Sequence, residues 1–307
     1  MKIAVFTKNR SNPAYAAARL GADRVAQRFG AQTKHYVPSK PDDIDEQIAL
    51  IAEALAEKPD GFVVVPVHPS AINAALRRIY ASGIPLVGCI NRFSEPGPVC
   101  YVGCDDYAIG IKLTNYLCKR LLQAPLLPDG GERVGVRGKP TADIVILEGA
   151  PASPTSIDRV RGFEDAISNF PDVRIVRKIR GDYLREPAKR VAHELLREGV
   201  RFDAVLAAND EMGLGMISAL DEAGVRTTVA SVNAIPEAIT AIKEGKLLAT
   251  IDFNAKDIAS IATEALLRHL RGESVPNEIM LPVQVVDRAN CERWDKSFEE
   301  RPELEWP

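Results

Sequence analysis

The stretch Pro41-Asp-Asp-Ile-Asp-Glu-Gln-Ile-Ala-Leu-Ile-Ala-Glu-Ala-Leu-Ala-Glu-Lys-Pro-Asp-Gly-Phe-Val-Val-Val65 carries two hydrophobic periods back to back. Pro41 begins a helix, with Asp42, Asp43, Asp45 and Glu46 around its first turn, where acidic groups complement the positive end of the helix dipole. Ile44, Ile48, Ile51 and Leu55 then recur at spacings of four, three and four, the apolar stripe of an amphipathic helix. Phe62 to Val65 is apolar without alternation, as a strand covered on both faces is. Helix followed by buried strand is half of a βαβ unit, and the rest of the chain repeats it.

Toward the N-terminus, Ile3 to Phe6 reads as a strand, and Asn12-Pro13 opens a helix as N-cap and first residue. Ala18, Val25 and Phe29 lie on its inner side and Gly30 is the stop. Beyond Val65 come a helix carrying Ile72, Ala75 and Ile79, a strand Ile84 to Ile90 and another at Val99 to Val102. Leu122 to Pro140 is crowded with proline and glycine and reads as an inserted loop. The alternation restarts with strand Ile144 to Leu147, a helix from about Ser156 to Phe170, strand Val173 to Ile179, a helix through Val191 and Leu195, and strand Ala204 to Ala207. A helix around Met212, Met216 and Leu220, strand Thr228 to Val232, helix Ile235 to Lys243 and strand Leu247 to Ile251 follow. Helix Lys256 to Leu270 and one strand, Met280 to Val286, close the pattern, and the tail after Asp287 shows little. The class is α/β with doubly wound parallel sheets, and 307 residues suggest about two domains.

Composition narrows the partners. Lys+Arg 39 against Asp+Glu 42 leaves a net charge of -3 with no long basic run, so no nucleic-acid partner is expected. The apolar runs stop far short of the ~20 residues that span a bilayer. The five cysteines (89, 100, 104, 118, 291) include no CxxC and read mostly as small buried hydrophobes; Cys100 and Cys104 are too far apart on one strand to bridge, while a bridge from Cys89 to a neighbouring strand stays open. Met1-Lys2 leads straight into the first strand without a signal-peptide pattern, so the chain is either cytosolic or lacks a leader that was removed.

In open α/β sheets ligands bind beyond the carboxyl ends of the strands. Here those positions are polar in both halves: Lys8, Asn9, Arg10, Ser11 and Asn12; Asn91 and Arg92; Ser153, Thr155, Ser156 and Arg159; Asp182 and Tyr183; Asn209 and Asp210; Asn233; Asp252 and Asn254. Amides both donate and accept, guanidinium donates in a fork, and Tyr15, Tyr183 and Phe253 can cover apolar faces, a set suited to a small polyhydroxylated ligand. Catalytic signatures are missing from the sequence. The four histidines are scattered, HExxH and GxSxG do not occur, and Gly213-Leu-Gly215 lacks the third glycine of a dinucleotide fingerprint. The carboxylate pairs Asp42-Asp43 and Asp105-Asp106 stand where helices begin and read as caps. No cofactor, no metal and no enzymatic activity are expected.

Several segments, in this order, resemble the periplasmic sugar-binding proteins of the ribose- and galactose-binding type: Ser11-Asn12-Pro13-Ala14-Tyr15, Ile90-Asn91-Arg92, Val102-Gly103-Cys104-Asp105-Asp106 with Gly110, Arg159-Val-Arg-Gly162-Phe163, Ala207-Ala208-Asn209-Asp210-Glu211-Met212-Gly213-Leu214-Gly215, and Glu244 to Ile251. The resemblance runs from Ile3 to about Val286. It implies the type I periplasmic binding protein fold, two α/β lobes joined by three crossovers, near Asp105, Asn233 and Asn254. One lobe would hold residues 1–105 plus 254–285, the other 106–253 plus 286–307, with a ligand cleft between them. The implied ligand set is Lys8, Asn12, Tyr15, Asn91, Arg92, Asp105, Arg159, Tyr183, Asn209, Asn233 and Phe253. Also implied are a sugar or polyol as ligand, the membrane permease of an ABC importer as partner, a monomeric state and the periplasm as location.

Many relatives carry Asp where Asn91 and Asn233 stand, Gln where Phe253 stands, and a small polar residue where Lys8 stands. A carboxylate only accepts, whereas an amide also donates, so a sugar alcohol, a shorter-chain sugar or a sugar acid is expected rather than ribose or galactose itself. A ligand-sensing regulatory domain of the lactose-repressor-like fold and an enzyme on a doubly wound fold are the rival readings. An Arg159→Ala variant is expected to lose ligand and keep its fold.

Overall fold

The computed structural model describes residues 1–94, 97–123 and 142–307. The expected inserted loop, Leu122 to Pro140, lies outside these apart from Leu122 and Gln123, which end a helix.

The described strands form two six-stranded sheets. The first contains β1 (Lys2–Phe6), β2 (Gln32–Tyr36), β3 (Gly61–Val64), β4 (Leu86–Cys89), β5 (Cys100–Gly103) and β11 (Glu278–Met280), in the spatial order β11-β5-β4-β3-β1-β2, all parallel. The second contains β6 (Ala142–Glu148), β7 (Val173–Arg180), β8 (Ala204–Ala207), β9 (Thr228–Val232), β10 (Ala249–Asp252) and β12 (Gln284–Asp287), ordered β12-β10-β9-β8-β6-β7, with β12 antiparallel to β10. The central strands β3, β4, β8 and most of β6 are buried, because helices cover both faces.

Helices α1 (Pro13–Arg28), α2 (Ile44–Ala56), α3 (Asn73–Ala81) and α9 (Ala255–Leu270) pack with the first sheet, α9 lying against α1 and β3 to β5. Helices α4 (Asp106–Gln123), α5 (Pro154–Ile167), α6 (Arg185–Arg197), α7 (Asp210–Glu222) and α8 (Pro236–Lys243) belong with the second; α4 lies against α5, β9 and β10. The chain thus passes between the two layers at β5 to α4, at β10 to α9 and at β11 to β12. Asn233 is not at a crossover: it follows β9 within the second unit, and the third crossing is Leu281–Val283.

Four expectations need correction. The single strand Met280 to Val286 is two strands in different sheets, because Pro282 interrupts it; residues 284 and 285 accordingly pair with β10 rather than joining the first lobe. Strand β2 went unread because Gln-Thr-Lys-His-Tyr at a half-exposed sheet edge has no apolar run. The second helix starts at Ile44, not Pro41, since Asp43 is its N-cap and accepts from the Glu46 N–H at 2.9 Å. The bridge left open for Cys89 is not formed: all five cysteines are free and buried.

Candidate functional site

A narrow cavity of about 30 Å³ lies between the carboxyl ends of the two sheets. That volume holds one or two waters, so the walls are drawn together.

From the first sheet, the loop after β1 contributes Lys8, Asn9 and Asn12, and α1 contributes Tyr15. Asn12 does cap α1: its side-chain oxygen accepts from the Ala14 N–H at 2.9 Å, and its own N–H donates to Asn9 Oδ1 at 3.0 Å. One half of its amide is spent on the helix, and its NH2 group is left for the cavity. Lys8 is buried with its Nζ 3.5 Å from Asp42 Oδ1, an oxygen that is itself buried and accepts no hydrogen bond from the described residues. Burial pushes the Tyr15 hydroxyl well above the usual phenol range.

Asn91 follows β4 through a tight turn in which Ile90 adopts φ 65° and Asn91 N–H donates to the Cys89 carbonyl at 2.7 Å. Its Nδ2 donates to Thr155 Oγ1 at 2.7 Å, a bond between the two layers, while its Oδ1 is buried without a partner among the described residues.

From the second sheet come Ser153, Thr155 and Arg159 after β6, Tyr183 after β7, Asn209 after β8, Asn233 after β9 and Phe253 after β10. Arg159 Nε donates to Asp106 Oδ1 at 2.8 Å, Nη1 donates to the Ala208 carbonyl at 2.7 Å, and the guanidinium lies 5.4 Å from the Phe253 ring centre. Burial pushes the Asp106 carboxyl up and Arg159 opposes it; burial likewise works against the Arg159 charge, yet its neighbours, Asp106 foremost, together outweigh burial and the arginine stays protonated. The pair meets because α4 and α5 cross at glycines: a Cβ on Gly110 would stand 2.4 Å from the Arg159 carbonyl oxygen, and one on Gly162 2.4 Å from that of Tyr107.

Tyr183 takes φ 63°, and its hydroxyl, pushed up to about 12 by burial, has no hydrogen-bond partner among the described residues although Ser153 and Ser156 lie near; Ser153 Oγ is likewise buried and unpartnered among them. Asn209 is occupied structurally: its Oδ1 accepts from the Met212 N–H at 2.9 Å and its Nδ2 donates to the Tyr183 carbonyl at 3.1 Å. Behind it Asp210, fully buried, accepts from Thr250 Oγ1 at 2.7 Å, from the Ile235 N–H at 2.9 Å and from the Ser231 hydroxyl, and burial raises its pKa to about 6.

Nine of the eleven expected site residues therefore line one cavity: Lys8, Asn12, Tyr15, Asn91, Arg159, Tyr183, Asn209, Asn233 and Phe253. Arg92 and Asp105 do not. Arg92 is exposed, lies 4.0 Å over the Tyr101 ring and pairs with Glu278. Asp105 is exposed and its Oδ1 accepts from the Ala108 N–H at 2.9 Å, capping α4. Two groups were read only as helix-start acids, Asp42 and Asp106. In each acidic pair one member caps a helix and its neighbour faces the cavity or its arginine, a division that residue type alone does not reveal.

Two α/β units enclosing a small polar cavity at their strand ends, connected by three crossings, define a two-lobed solute-binding protein of the type I periplasmic binding protein fold. The chain belongs to the periplasmic binding protein domain family, whose model matches residues 3–274. It is 26% identical over 284 residues to the ribose import binding protein RbsB of Bacillus subtilis, covering 92% of this chain and 86% of that one. It is 24% identical over 256 residues to the xylitol-binding protein of Mycolicibacterium smegmatis, covering 83% and 68%. Among solved structures, an ABC transporter periplasmic solute binding protein from Actinobacillus succinogenes with bound D-allose superposes with a TM-score of 0.84 at 25% identity, over 95% of this chain and 99% of that one. These relatives are binding proteins, not enzymes.

Proposed function

We propose that the chain captures a small, neutral, polyhydroxylated ligand, a sugar or sugar alcohol, between its lobes and delivers it to the membrane permease of an ABC importer, working as a monomer in the periplasm. The observation that carries the ligand class is a buried acceptor with no donor among the described residues, Asn91 Oδ1. A buried polar atom left unpaired costs about 1 to 3 kcal/mol, so an O–H or N–H from a ligand would satisfy Asn91 Oδ1, and it would add a hydrogen bond to Asp42 Oδ1, which faces the Lys8 ammonium at 3.5 Å without accepting one. Hydroxyls supply donors there and also pair with Ser153 Oγ and Tyr183 Oη, which have no partner among the described residues. A carboxylate or phosphate group brings acceptors only. The cavity cations Lys8 and Arg159, moreover, already face Asp42 and Asp106.

The ligand set is Lys8, Asn12, Tyr15, Asn91, Arg159, Tyr183, Asn209, Asn233 and Phe253, joined by Asp42 and Ser153. The lobes are residues 1–105 with 254–283 and residues 106–253 with 284–307, closing about the three crossings. The relatives that bind ribose and xylitol support this class of solute. The test is a thermal-shift screen of the whole chain over pentoses, hexoses, polyols and aldonic acids. A ligand at a thousandfold excess over Kd stabilises the folded form by about 4 kcal/mol. A shift with neutral members supports the reading; shifts confined to the acids overturn it.

A further inference from the structure

The tail beyond β12, patternless as sequence, is tied to the back of the cavity. Residues Cys291–Arg293 form a 3-10 turn, and Trp294 Nε1 donates to Asp252 Oδ2 at 2.5 Å, at the end of β10. Further on, the Arg301 guanidinium donates to three main-chain carbonyls: Ala234 at 2.8 Å, Trp294 at 2.9 Å and Lys296 at 3.3 Å, with the Phe298 ring 4.6 Å below it. Its segment is fixed in turn by Lys256, a buried lysine in the first turn of α9, whose Nζ donates to the carbonyls of Arg301 at 2.6 Å, Pro302 at 3.0 Å and Phe298 at 3.4 Å.

Ala234 is the residue after Asn233, and the two are successive non-glycine residues at positive φ, 53° and 135°. Such a pair persists only when its surroundings hold it. Three of the restraints come from the second sheet and its neighbourhood: Asn233 N–H to the Ile251 carbonyl at 2.8 Å, Ala234 N–H to Thr250 Oγ1 at 3.2 Å, and Ile235 N–H to Asp210 Oδ2 at 2.9 Å. These fix the donors of the loop. The Ala234 carbonyl is fixed from the tail, by Arg301.

We propose that Arg301 is a positioning residue of the ligand site: from the tail it fixes the Ala234 carbonyl and so holds the Asn233 side chain at the cavity wall. The inference rests on Asn233 facing the ligand, as the proposed function has it. It makes residues 294–302 part of the binding apparatus, linking the Asn233 loop to α9 on the opposite lobe.

The test compares wild type, Arg301→Ala and Arg301→Lys by hydrogen exchange in the ligand-free protein and by calorimetric titration with D-ribose and, separately, xylitol. Arg301→Ala is expected to speed exchange in residues 229–240 by about tenfold while α7 keeps its protection. Lysine reaches one carbonyl instead of three, so Arg301→Lys should recover only part of that protection. Should the alanine variant not fold, the lysine variant alone must still show acceleration confined to 229–240. The affinity for whichever sugar binds should fall about tenfold in Arg301→Ala, with partial recovery in Arg301→Lys. Unchanged exchange in 229–240, acceleration spread equally over α7, or a faster loop with unchanged affinity would each overturn the proposal. If wild type binds neither sugar, the proposed ligand class is what suffers, and the exchange result alone decides on Arg301.

Discussion

Arg159 Nε and Asp106 Oδ1 lie 2.8 Å apart at the crossing of α4 and α5, with Arg159 buried and Asp106 only 13% exposed. The pair answers a question posed by the sequence, in which amides, Asn91 and Asn233, share the cleft with an arginine. The cleft arginine does not lack a counter-charge, because Asp106 supplies it from the first residue of α4. A ligand carboxylate is therefore not needed to neutralise the site.

That pairing changes what Arg159→Ala should do. Ligand binding is still expected to be lost, but the fold should also suffer, because Asp106 would be left buried without its cation. Breaking one side of a buried pair costs about 3 to 5 kcal/mol. Urea unfolding should show that loss, and Arg159→Ala with Asp106→Asn should recover part of the stability without recovering binding. An Arg159→Ala variant as stable as wild type would show that the pair contributes nothing to the fold.

The bond from Asn91 Nδ2 to Thr155 Oγ1 joins the two layers directly. Thr155→Val keeps the shape and removes the hydroxyl, leaving the amide unpaired, and one hydrogen bond of about 1 kcal/mol shifts a two-state equilibrium about fivefold. Small-angle scattering of the ligand-free variant should give a larger radius of gyration than wild type. Equal radii would mean that this bond does not hold the lobes together.

Asp210 should make stability depend on pH in a specific direction. Its pKa in the folded protein is raised to about 6 from an ordinary 3.8, so the native state binds a proton more readily than the unfolded chain. This group therefore favours the fold more at low pH, and that contribution fades as pH rises from about 4 through 6. Between pH 5 and pH 7.5 the difference is about 1.4 kcal/mol. The stability gap between wild type and Asp210→Asn, from urea unfolding, should be larger in favour of wild type at pH 5 by about that amount. A gap that does not change with pH would mean that Asp210 titrates normally.

The alternation of periods made the βαβ rhythm legible, and polar residues placed after apolar runs exposed most of the cavity wall. Physical reasons account for what escaped. Strand β2 is a polar edge whose pairing with β1 is made by backbone groups, so its side chains carry little signal. Within Asp42-Asp43 and Asp105-Asp106, helix-start logic applies to both members, but one caps and the other turns to a cation, a choice set by the crossing of distant elements. Arg92 looked like a ligand group from its place after β4, yet the neighbouring Tyr101 ring and Glu278 on β11 draw it to the outside. The tail lacks periodicity because its contacts are single side chains meeting main-chain carbonyls, as Arg301 and Lys256 do.

The most direct test of the account is calorimetric titration with matched polyol and aldonate pairs, ribitol with ribonate and xylitol with xylonate. For the stereochemistry that binds, the polyol should be tighter by about tenfold or more, roughly 1.4 kcal/mol, and its affinity should not change as salt is raised. An aldonate that binds about tenfold tighter than its polyol, with an affinity that falls as salt rises, would contradict it.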